Sequence, residues 1–157
     1  MVDFPDILDQ LTEELIDLSR HRVPPDSLDR ASHGFFDLYL AYRRGLDRMD
    51  SAELEKFLHS TVRLMKRSLP QLNAHLNSHI EDTLSLSLDG PDWVEACRMR
   101  TTLEGIKELY GPHLPVARLV PDPDELDDMM RVVCEDVPSS GREQAQFPLS
   151  HWWWDAA

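Results

Sequence analysis

A chain of 157 residues has room for one ordinary hydrophobic core, since single domains typically hold ~100–200 residues. A 41% hydrophobic content is enough to offset chain entropy, which excludes wholesale disorder. Asp and Glu outnumber Lys and Arg by 29 to 16, a formal net charge of -13, so the chain on balance repels phosphate backbones and non-specific nucleic-acid binding is disfavoured.

Phe4, Ile7, Leu8, Leu11, Leu15 and Leu18 recur at spacings of three and four, which predicts an amphipathic helix from Phe4 to about Arg20. Asp3 is placed to cap it and Pro5 falls in its first turn. Val23-Pro24-Pro25 ends it, because proline restricts the residue before it and donates no helical hydrogen bond. A second helix is predicted from about Asp26 to Met49, burying Leu28, Ala31, Phe35, Leu38, Tyr39, Tyr42, Leu46 and Met49.

Asp50 and Glu53 have capping-box spacing and open a third helix with Leu54, Phe57, Leu58, Thr61, Val62 and Met65 on its inner face. The short link at Asp50-Ser51 makes helices two and three antiparallel neighbours, unless Asp50 only kinks one continuous helix. Pro70 is the next predicted boundary, and a fourth helix then runs to about Leu84 with Leu72, His75, Leu76, His79, Ile80 and Thr83 in register. Leu84-Ser85-Leu86-Ser87-Leu88 alternates with period two. With the β-branched run Val116-Ala117-Arg118-Leu119-Val120 it is the one candidate for a short two-stranded β element.

Asp89-Gly90-Pro91 reads as a turn, and Asp92 with Glu95 caps a further helix carrying Trp93, Ala96, Cys97, Arg100, Leu103, Ile106 and Leu109. Gly111-Pro112 stops it. The last helix spans Asp122 to Asp136, with Leu126, Met129, Met130 and Val133 inside and an almost wholly acidic outer side. These segments define a mainly α fold: a single-domain bundle of five or six helices over residues 1–136, followed by a tail, 137–157, that ends in an aromatic cluster.

Several chemistries are disfavoured by what the chain lacks. There is no GxSxG, no P-loop or dinucleotide fingerprint, and no cysteine beside a motif-level histidine, so the sequence leans against an enzyme and asks for no cofactor. No stretch approaches the ~20 apolar residues of a membrane span. The Met-Val-Asp-Phe-Pro-Asp start lacks the basic and apolar regions of a secretory signal, so a cytoplasmic protein without membrane contact is expected. Cys97 and Cys134 both fall in helical segments and read as buried free thiols.

Three features remain that carry chemistry. His75 and His79 stand four apart on one helix face, the spacing by which a helix offers two ligands to zinc or iron. A site needs more, and Asp82, His59, Glu55 and His33 are candidates to complete it; a half-buried polar face is the plain alternative. Charge is also segregated, with Arg43, Arg44, Arg48, Lys56, Arg63, Lys66 and Arg67 in the middle of the chain and Asp122, Asp124, Glu125, Asp127, Asp128, Glu135 and Asp136 on the last helix. Finally, Trp152-Trp153-Trp154, flanked by His151 and Asp155, is either a clasp that closes the fold or an exposed binding anchor.

The function these features favour is an acidic protein-binding module that neutralises or chaperones a basic partner protein without catalysis. An immunity protein, an antitoxin-like inhibitor and a secretion chaperone are its concrete forms, an expectation that comes from charge and size alone. Asp124, Glu125, Asp127, Asp128, Glu135 and Asp136 would steer the partner, and Trp152, Trp153 and Trp154 would anchor it. A metal-binding helical bundle using His75 and His79, with zinc or iron, is one alternative. A structural or regulatory homo-oligomer, its Trp tail crossing to a second copy, is the other.

Overall fold

The computed structural model describes residues 4–19, 25–45, 48–86, 90–115, 124–134, 151 and 153. Five α-helices hold nearly all of them: α1 (Phe4–Leu18), α2 (Pro25–Arg43), α3 (Arg48–Leu86), α4 (Gly90–Tyr110) and α5 (Asp124–Cys134). The fold is a mainly α bundle, and no strand occurs among the described residues. None of these helices is long and apolar enough to cross a membrane.

The three-and-four spacing in α1 places Ile7, Leu8, Leu11, Leu15 and Leu18 on one buried side, as its periodicity requires. That side packs against α2 and α3. In α4, by contrast, Trp93, Ala96, Cys97, Met99, Arg100, Thr101, Thr102, Leu103, Ile106, Leu109 and Tyr110 are all buried. Burial so far round the helix axis makes α4 the central element, packed against both α2 and α3.

The boundary expected at Pro70 is absent: α3 is one helix of 39 residues with Pro70 inside it. A proline within a helix removes one hydrogen bond and crowds the preceding turn, at a cost of ~3 kcal/mol. The stripe Met65, Leu69, Leu72, Leu76 and Ile80 is at most 1% exposed, and each such side chain stabilises by ~1.5–3 kcal/mol when fully buried. Five of them outweigh one proline, whose own ring faces solvent. The expected third and fourth helices are therefore one, and the described residues hold five helices.

The same stripe corrects the β expectation. Leu84 continues it one turn beyond Ile80 and is buried, so the apparent alternation begins on a helical register and Leu84, Ser85 and Leu86 are helical. Ser87, Leu88 and residues 116–120 lie outside the described residues. The break between the second and third helices also moves. Instead of running to Met49, α2 ends at Arg43, and Gly45 takes the left-handed conformation (φ 89°) that a side chain would disfavour. Asp50 thus lies in the first turn of α3, and Tyr42, expected inside, is 37% exposed.

Two glycines set how closely the helices cross. A methyl group on Gly34 would stand 2.7 Å from Leu11 Cδ2, where α2 meets α1, and one on Gly105 would stand 2.6 Å from Tyr39 Cγ, where α4 meets α2. The Tyr39 ring is wholly buried, and its hydroxyl donates a 2.6 Å hydrogen bond to Glu108 Oε2, so it has little freedom to retreat. A second buried link ties α3 to α4, with the Thr61 and Tyr110 hydroxyls 2.7 Å apart. Overpacking costs ~1–3 kcal/mol, while alanine's better helix propensity returns ~1. Gly105→Ala is therefore expected to lower stability by about 1 kcal/mol in urea unfolding; an unchanged midpoint would show that the Tyr39 ring yields freely.

Candidate functional sites

The last helix is bound to the bundle by its inner side. Leu126 and Met130 are buried, and between them Asp127 points inward to Arg100 of α4. Arg100 Nε donates to Asp127 Oδ1 at 2.7 Å and Nη2 to Oδ2 at 3.1 Å, a two-pronged pair, while Nη1 donates to Glu104 Oε1 at 2.7 Å. Burial depresses the Arg100 guanidinium pKa, and hydrogen bonds and charge from Asp127 and Glu104 more than restore it, so the cation is secured. Asp127 is thus engaged inside the fold, whereas Asp124, Glu125 and Asp128 are exposed. Asp128 stands 3.7 Å from Arg131 on the same helix. Glu135 and Asp136 lie outside the described residues.

The aromatic tail meets the same arginine. Trp153 is 1% exposed, its indole Nε1 donates to Thr101 Oγ1 at 2.9 Å, and the Arg100 guanidinium sits 4.6 Å from the centre of its ring. The buried Cys97 thiol contributes a weak 3.5 Å contact to the Trp153 carbonyl. Trp153 therefore acts as the clasp and presents no ring to a partner. Trp152 and Trp154 fall outside the described residues, as does the side chain of Cys134.

His151 stacks on Trp153 with ring centres 4.8 Å apart and reaches Tyr39 at 5.9 Å, so two residues of the tail bridge α2 and α4. Burial pushes its pKa down to about 4, with Glu104 opposing the shift and Arg100 and Arg43 adding to it.

The histidines singled out in the sequence divide between two places. On α3, His75 Nε2 donates to Asp29 Oδ1 of α2 at 2.8 Å, and His79 Nε2 lies 3.9 Å from the same oxygen. The two imidazole rings are 4.2 Å apart. The ligand atoms of Asp29, His75 and His79 all fall within 4.8 Å of one another. Asp29 was not foreseen, because it stands 46 positions from His75 and no local spacing rule connects them. His33 bonds the Asp29 backbone carbonyl at 2.8 Å, and Asp82 is exposed. Glu55 and His59 belong to a separate group with His113, whose Nε2 is 3.4 Å from Glu55 Oε2 and whose ring meets that of His59 edge-on at 6.4 Å.

The chain matches no protein-family model, no curated protein and no solved structure. Its chemistry is therefore read from its own residues.

The buried His151 sets a pH dependence with a definite sign. Its folded pKa of about 4 lies below the ordinary 6.5, so the undocked tail takes up the proton first as pH falls, and clasp stability declines from about pH 6.5 toward 4. The melting temperature is expected to fall over that window, and His151→Phe to flatten the decline above pH 5, where the carboxylates contribute least. An identical slope in both proteins would show that His151 does not govern the clasp.

Proposed function

We propose that this protein is an acidic protein-binding module that captures a basic partner, neutralising or chaperoning it by stoichiometric association and without catalysis. The observation that carries the reading is the outward stripe of α5. Leu126, Asp127 and Met130 turn into the bundle, leaving Asp124, Asp128 and Val132, spaced one turn apart, on the solvent side with Glu125 beside them. Val132 is 72% exposed, more than either Ile16 or Tyr42.

Folding alone accounts for part of this pattern. Asp124, Glu125 and Asp127 lie in the first turn, where the helix dipole favours negative charge by ~0.3–1 kcal/mol each. Asp128 is one turn from Asp124, and like charges at that spacing repel. In a chain that already carries -13, further exposed acid opposes compaction, and its benefit falls to a partner of opposite sign. Such a field accelerates encounter, and the apolar Val132 supplies surface that association can bury. An immunity protein, an antitoxin and a secretion chaperone are the forms such capture would take, and charge does not choose among them.

The test compares the wild-type chain with an Asp124→Lys, Glu125→Lys, Asp128→Lys variant, each recovered untagged from its own cells. The wild type is expected to retain a basic protein at fixed stoichiometry. The variant should lose it, through association slowed about tenfold or more at low salt, while its melting temperature changes little. Equal retention by both would remove α5 from the mechanism.

A further inference from the structure

We infer that Asp29, His75 and His79 form a binding site for one divalent transition-metal ion, with zinc the best match to the donor set. The site shares no residue with the α5 stripe and stands or falls apart from it. Two imidazoles and one carboxylate are borderline and hard donors of the kind that hold zinc, three protein ligands leaving one position for water.

The three donor atoms lie close enough to be drawn onto one ion, although Asp29 and His75 are now hydrogen-bonded. Around a tetrahedral ion with ligands at ~2.0–2.1 Å, neighbouring donor atoms lie ~3.3 Å apart. Asp29 Oδ1 and His75 Nε2 are now 2.8 Å apart, and His79 Nε2 is 3.9 Å from that same oxygen. The first must open by about half an ångström and the second close by about as much, and the two histidine donors, within 4.8 Å of each other, must settle at the same spacing, adjustments of the size that side-chain rotation makes. At 3.9 Å, His79 is too far to hydrogen-bond Asp29, so hydrogen bonding gives no reason for a second imidazole to turn to this oxygen. The His79 ring packs against that of His75 at 4.2 Å, and an ion shared by all three would use both imidazoles at once.

Burial is graded in the way an accessible site requires. The His75 side chain is 12% exposed, while those of Asp29 and His79 are close to half exposed, so an ion would enter from solvent and be seated against the inner histidine. The ligands come from two helices: α2 supplies Asp29, and α3 supplies both histidines one turn apart. Because α2 rests mainly on α1 and α4, an ion here adds a direct link from α2 to α3. Binding displaces the proton that His75 Nε2 now donates to Asp29, and that proton passes to water.

The experiment uses the full untagged chain, freed of metal with a chelator and titrated calorimetrically with zinc chloride, with cobalt(II) chloride as a visible-absorption probe. One equivalent of zinc is expected to bind, with a raised melting temperature and a cobalt spectrum of low coordination number. His79→Gln should weaken zinc binding about tenfold or more while leaving the metal-free melting temperature unchanged, since His79 is half exposed. Absence of saturable binding would overturn the proposal. So would undiminished binding in His79→Gln, or binding abolished by His59→Gln or His113→Gln, which would move the site to the other histidine group.

Discussion

A guanidinium removed from water must be neutralised where it lies, and Arg100, in the middle of the central helix, is 3% exposed. Leaving such a charge unpaired would cost several kcal/mol, so the fold must bring carboxylates and a polarisable ring to it. Glu104 comes from the next turn of α4, Asp127 from α5, and Trp153 from the tail. The last two are distant in sequence, and their meeting at one side chain joins α5 and the tail to α4, beside the burial of Leu126 and Met130 and the packing of α5 on α3.

This requirement also decides which way α5 faces. Leu126 and Met130 alone define a broad inner side, but the two-pronged bond from Arg100 to Asp127 fixes the rotation of the helix about its axis. With Leu126, Asp127 and Met130 on the inner side, Asp124 and Asp128, which stand four apart and share a face, fall on the solvent side. An internal electrostatic demand thus determines the surface on which the proposed partner would be captured. The histidine group on α2 and α3 depends on a different contact, the crossing that brings Asp29 to His75.

Much of this architecture is legible in the sequence, and what is hidden has identifiable causes. The burial of Leu11, Leu15, Trp93, Leu103 and Leu126 follows from their helical periodicity. Pro70 misleads because a local rule about proline is overridden by the tertiary burial of Met65, Leu69 and Leu72. Leu84 misleads differently: it is at once the start of an alternating run and the next member of the stripe after Ile80, and periodicity over so few residues does not separate the two. Gly45 is a helix terminator that the stronger capping pattern at Asp50 and Glu53 conceals. For the sites, the pairing of His75 with His79 is local and visible, whereas Asp29 joins them only through the packing of α2 on α3. Likewise the inward turn of Asp127, amid a run of acids, reflects a partner on another helix that no spacing along α5 discloses.

Amide hydrogen exchange in Arg100→Met tests the central dependence most directly, since methionine keeps much of the volume and removes the charge. The account predicts that α5 and the segment around His151 and Trp153 lose protection together, while α1 and the length of α3 around Leu69 to Ile80 keep theirs. Unchanged protection across α5 would contradict it, and so would a uniform loss throughout the bundle, because either result would mean that Arg100 does not specifically hold the last helix and the tail in place.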